Sequence, residues 1–243
     1  MIAIQKQGEP AGLTRLRERA VSAGLSPKEA YDTLRNPLKE QVRNSLLTEQ
    51  GQLCAYCMCR IPRKDVDPGI ASIVMEHMIP RDPDDHRDIG QGLDYNNLVA
   101  VCHGNRGPNG TRHTFDLTCD AYKGNREFKK LNPCKPDTLQ SIFYKLDGQI
   151  DASDPEVKSD LLDLLNLNCP SAPLVSERKS ALDSLIQEIK EETGADEGAM
   201  LSYCIEALAA FHAEKCIKTP YVGILIWYLQ TMIEALRQMD SGQ

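Results

Sequence analysis

Cys54-Ala-Tyr-Cys57, followed far downstream by Cys102 and Cys119, constrains this chain more than any other feature. Two cysteines separated by two residues can turn both sulfurs toward one ion, and zinc takes four such ligands in a tetrahedron. A chain that closes this knuckle on two later cysteines must bring distant segments to one point. The 16 residues between Cys102 and Cys119 depart from the common second CxxC, so His103 stands as a rival for the fourth position. The cysteine number, 9, is odd, and the N-terminus lacks the basic-then-apolar order of a secretory signal. Metal ligation therefore explains four of the cysteines better than disulfides do, and a cytoplasmic protein with reduced thiols is expected. Cys59, Cys134, Cys169, Cys204 and Cys216 are expected to be free, with Cys204 and Cys216 on apolar helical patterns as small core residues.

Chemistry-bearing residues interleave with this clamp. Glu76-His77 and Asn97 fall between its halves, and Asp120 directly follows Cys119. A histidine can deprotonate water as a general base, and a divalent ion can polarise a phosphate and stabilise the leaving oxygen. Phosphodiester cleavage needs both, because the anion repels hydroxide and the alkoxide leaves poorly. His86, His113, Arg106 and Arg112 lie in polar loops and read as solvent-facing, while His212 falls on an apolar helical pattern.

Charge is distributed unevenly. The net charge of −7 is wrong for a free-standing nucleic-acid binder. Residues 1–53 carry 8 basic against 6 acidic side chains, residues 54–135 carry 12 against 11, and residues 136–243 carry 8 against 18. Phosphate would be repelled by the last segment. Residues 102–135 are locally basic, with 7 basic against 3 acidic side chains. Lys123, Arg126, Lys129 and Lys130 recur there near helical spacing, as backbone-phosphate contacts or as a solvated helix face.

The periodicities predict an α+β protein. Residues 1–10 look extended up to Pro10, and Ser26-Pro27 opens a helix. Leu38 to Gln50 fits a second helix, Ala71 to Ile79 a strand, and Leu98 to Val101 a short apolar strand. Cys119 to Leu131 looks helical, with a break at Gly124; Asp147-Gly148 marks a hairpin. Helices are expected over 154–166, 174–193, 196–212 and 220–238, with acidic faces. These elements divide into an N-terminal segment at 1–53, a metal-bearing domain at 54–150 and an acidic helical region at 151–243. No stretch of about 18 uncharged apolar residues is present.

Cys54-x-x-Cys57, Glu76-His77-Met78-Ile79-Pro80, Asn96-Asn97-Leu98-Val99-Ala100-Val101-Cys102 and Cys119-Asp120-x-x-Lys123-Gly124-Asn125 resemble the HNH endonuclease family over residues 54–130. Within it, Met1-Ile2-Ala3-Ile4-Gln5-Lys6, Glu9-Pro10 and Leu131-Asn132-Pro133-Cys134 are similar to PtuB-type members, the nucleases of Septu anti-phage systems and of some retrons. The resemblance implies a zinc-stabilised ββα-metal core. It implies His77 as general base, Asn97 rather than Asn96 as the brace of its loop, and Glu76 and Asp120 as ligands of Mg2+ or Mn2+. Asp120 stands where many members carry His or Asn. Asn125 is a further candidate ligand or phosphate contact. Also implied are a nucleic-acid substrate, DNA foremost, and an ATPase partner of the PtuA type. Two other readings compete, a zinc module that only mediates assembly and a stand-alone restriction-type nuclease.

Overall fold

Ser26 and Pro27 start a helix as their order predicts. Ser26 Oγ accepts from the Glu29 N–H, the Glu29 carboxylate accepts from the Ser26 N–H, and Pro27 fills the first position. In the computed structural model, which describes residues 1–62, 73–83, 85, 92–107, 113–194 and 196–241, this helix is α2 (Pro27–Asp32), flanked by α1 (Ala11–Ser22) and α3 (Leu38–Glu49). The expectation for Ala71 to Ile79 falls partly, and those for His86 and Arg112 wholly, outside the described residues.

α1 was not anticipated. It turns Leu13 and Ala20 inward, a spacing of two helical turns. Residues 1–10 form no strand; Ile4 makes a lone backbone bond, N–H to the Pro133 carbonyl at 2.8 Å.

Two antiparallel hairpins follow. β1 (Val74–His77) pairs with β2 (Leu98–Val101), Glu76 opposite Val99 and His77 opposite Leu98. All four residues of β2 are buried, which explains their uninterrupted apolar run. Next comes α4 (Cys119–Lys123). The longer helix expected here stops at Gly124, whose φ of 56° is left-handed. Beyond it, the N–H groups of Lys129, Lys130 and Leu131 donate to the Asp160 carboxylate at 2.9, 2.8 and 2.8 Å instead of to a helix. β3 (Ile142–Tyr144) and β4 (Ile150–Ala152) form the hairpin signalled by Asp147-Gly148. Gly148 has φ 89°, and a Cβ there would lie 2.2 Å from the Val175 carbonyl oxygen.

The remainder is helical. α5 (Pro155–Ser159), capped by Asp154, runs into a π-helical turn at Asp160–Leu164 rather than continuing as one α-helix. α6 (Leu174–Thr193), α7 (Glu197–Ala213) and α8 (Val222–Ser241) pack on one another. Cys204 is buried in α7, but Cys216 and His212 are exposed, against expectation. The chain is thus α+β, with helices at both ends.

Backbone bonds and buried side chains cross residue 150. The Cys119 N–H donates to the Leu165 carbonyl at 2.8 Å, and the Tyr221 N–H to Met58 O at 2.9 Å. A single cluster of buried apolar residues runs from Leu13 through β2 and Leu161 to Leu229. Among the described residues, no helix is long and apolar enough to cross a membrane.

Candidate metal centre and active site

Backbone bonds build the knuckle first. Met58 N–H returns to the Cys54 carbonyl at 3.0 Å and Cys54 N–H to Cys59 O at 2.9 Å, with Met58 held at φ 62°. Ala55 N–H then donates to Ala100 O at 3.0 Å, tying the knuckle to β2. Cys102 follows the end of that strand, and Cys119 opens α4 at φ 54°. All four cysteines are buried, and their sulfurs lie within 4.8 Å of one another.

The spacing fits zinc. A tetrahedron with Zn–S bonds of about 2.3 Å has edges of about 3.8 Å. Cys57 Sγ lies 3.8 Å from Cys102 Sγ, which lies 3.7 Å from Cys119 Sγ. The hydrogen bonds among the sulfurs, that with Cys119 foremost, bring the Cys102 thiol down to about 5, while those with Cys102 push Cys57 and Cys119 up. Four buried cysteines can therefore hold a structural metal such as zinc. Cys119, not the rival His103, completes the cluster among the described residues. Cys59, a neighbour that sequence spacing did not single out, is buried, and the thiols of Cys102, Cys54 and Cys57 push its own thiol up.

The cluster also sets the position of Asp120. It ties the end of β2 to the first turn of α4, so the residue after Cys119 faces the middle of β1. Asp120 stands close enough to Glu76 there to disfavour its charged form. The Tyr56 hydroxyl donates to Glu76 Oε1 at 3.4 Å, and Lys123 Nζ lies 2.7 Å from the same oxygen. Burial, then repulsion from Asp120, pushes the Glu76 carboxyl up to about 8. A pair of carboxylates is the kind of donor set that a hard divalent cation takes.

His77 faces a different set of groups. Its Nε2 lies 2.9 Å from the Gly92 carbonyl oxygen and its ring stands edge-on to Tyr31 at 4.6 Å between centroids. A carbonyl only accepts, so Nε2 carries the proton and Nδ1 keeps the lone pair of the neutral ring. Burial lowers the His77 pKa to about 4, despite the Gly92 bond. Asn97 fastens the turn beyond this histidine. Its Oδ1 accepts from the Ile79 N–H at 2.7 Å and its Nδ2 donates to Ile79 O at 2.9 Å. Asn96 is exposed and donates its backbone N–H to Asp94.

The expected phosphate-contact stripe is not a stripe. Lys123 is 1 % exposed and paired with Glu76, so it cannot meet a phosphate in this conformation. Arg126 is exposed but folds its guanidinium back onto the Tyr122, Lys123, Asp163 and Leu164 carbonyls. Lys129 is exposed, with Nζ 2.9 Å from Ser159 Oγ, and Lys130 reaches Asp154. Asn125 and His113 are exposed. Sequence reasoning missed Tyr31, Tyr56 and Gly92, the walls around His77 and Glu76. Nothing in their local pattern marks them, because they arrive from α2, the knuckle and a loop.

The chain matches no protein-family model, and no curated protein matches it.

Proposed function

We propose that this protein is a metal-dependent endonuclease of the HNH type, hydrolysing phosphodiester bonds in DNA. The observation that carries this reading is the placement of Glu76 and His77 side by side on β1 of an antiparallel strand pair, with Asp120 on the short helix that follows beside the cysteine cluster. That element order is the one a ββα-metal core requires. His77 is neutral at pH 7 and holds Nε2–H on the Gly92 carbonyl, which leaves Nδ1 to take a proton from water. Asn97 fixes the turn that follows, and so the direction of the ring. Mg2+ or Mn2+ held by Glu76 and Asp120 would supply charge for the scissile phosphate and the leaving oxygen.

Charge supports a larger assembly. The 54–135 segment has 12 basic against 11 acidic side chains and the rest of the chain to its C-terminus 8 against 18, so strong unaided capture of DNA is disfavoured. An ATPase partner of the PtuA type, docked on the acidic helices, would supply the missing DNA surface in an anti-phage complex. The burial of Glu76 and His77, at 7 % and 5 % exposure, favours one competing reading, a zinc module without catalysis.

Supercoiled plasmid with Mn2+ separates the two. Zinc-loaded protein nicks it, and His77→Ala abolishes nicking with unchanged zinc content. Equal nicking by the variant, or none by the parent protein with its partner present, contradicts the proposal.

A further inference from the structure

We propose that Lys123 is a resident counterion that occupies the carboxylate site in the ion-free protein and must withdraw before a divalent cation can enter. This rests on the reading of Glu76 and Asp120 as the ion's ligands.

The placement is unusual for a lysine. Its side chain is among the largest fully buried ones in the molecule, at 1 % exposure, although lysine is almost never fully buried unless paired. Nζ lies 2.7 Å from Glu76 Oε1, 3.4 Å from the His77 carbonyl and 3.3 Å from its own neighbour's carbonyl at Gly124. The Phe128 ring covers it, with the centroid 5.5 Å from Nζ. One turn earlier on α4 stands Asp120, so the helix presents a carboxylate and an ammonium to the same strand residue.

An ion on Glu76 and Asp120 would stand within a few ångströms of that ammonium in a water-poor site, where like charges repel strongly. Both cations therefore cannot hold Glu76 together. Lysine has the long flexible stem that a withdrawing cation needs. Such a counterion would raise the ion concentration needed to fill the pair of carboxylates.

Mn2+ binding to zinc-loaded protein, read from the electron paramagnetic resonance of the free ion, tests this. Lys123→Met should bind Mn2+ at least about tenfold more tightly than the parent, because a competing charge has gone. Affinity that is unchanged or weaker overturns the inference. The unaltered protein gives a second measurement, independent of whether the variant folds. Acetylation of Lys123, followed by peptide mass spectrometry, should be slow without ion and become fast at saturating Mn2+. Protection that saturating Mn2+ leaves intact overturns the inference. Metal-dependent DNA cleavage with unchanged Mn2+ affinity in Lys123→Met removes the lysine's role alone. Absence of Mn2+ binding to either protein removes the ion-site reading with it.

Discussion

Residue identity carries most of the functional signal in this chain. Cys54, Cys57, Cys102 and Cys119 are recognisable because thiols at those spacings have little else to do in a chain without disulfides. Their sulfurs do meet, within 4.8 Å. Cys102→Ser should therefore remove the bound zinc, about one ion per chain, and with it binding energy of about 10 kcal/mol or more. Mass-spectrometric metal analysis beside a thermal melt checks this; full zinc content with an unchanged melt would count against the cluster. Lys123 was misread for a physical reason. Helical spacing placed it on one face with Arg126 and Lys129, for phosphate contact or for solvent, but α4 ends at Lys123 and the ammonium turns inward to Glu76. His77 yields a pH prediction. Its folded pKa is about 4 against an ordinary 6.5. As pH falls through that window the unfolded chain takes a proton that the folded chain refuses, so folding stability falls, by up to about 3 kcal/mol. Urea titrations of the parent and of His77→Gln at pH 7.5 and pH 4.5 isolate the contribution: the parent should lose more than the variant.

Elements position those residues, and their boundaries were only partly legible. The three long helices α6, α7 and α8 and the apolar strand β2 follow their patterns, because amphipathic spacing and full burial leave a mark on composition. α1 carries such a mark too, in Leu13 and Ala20, and was passed over beside Pro10. The contribution of α2 is tertiary and had no local sign. Its Tyr31 lies against the His77 ring, with the Arg81 guanidinium 4.6 Å from the Tyr31 ring centroid. Its Pro27 carbonyl backs Gly92, where an added Cβ would stand 1.8 Å from that oxygen. Gly92→Ala must therefore push the loop off α2 and carry the carbonyl that holds His77 Nε2 with it. The expected outcome is a kcat reduced by about tenfold or more with KM little changed, since positioning of the base is lost while binding surfaces stay. Parental kcat in this variant would mean that the Gly92 bond does not orient the histidine.

At the scale of the whole molecule, one cluster of buried apolar residues runs between the acidic helical region and the metal-bearing half. Tyr221 and Leu165 make backbone bonds to the knuckle and to α4, at Met58 and Cys119. Asp160 takes three N–H groups from residues 129–131. The turn from hairpin to helices suggested a boundary near residue 150, but the order of elements says nothing of what is packed between them. A chain cut after residue 150 should fail to hold zinc or to give a cooperative melt. A soluble fragment with full zinc content and a sharp transition would restore the boundary. The separation of chemistry from DNA capture makes the most direct test a substrate that needs no capture. With Mn2+ present, the zinc-loaded protein alone should hydrolyse bis(4-nitrophenyl) phosphate, and His77→Ala should not, at equal metal content. Turnover that survives in His77→Ala would contradict the account at its centre.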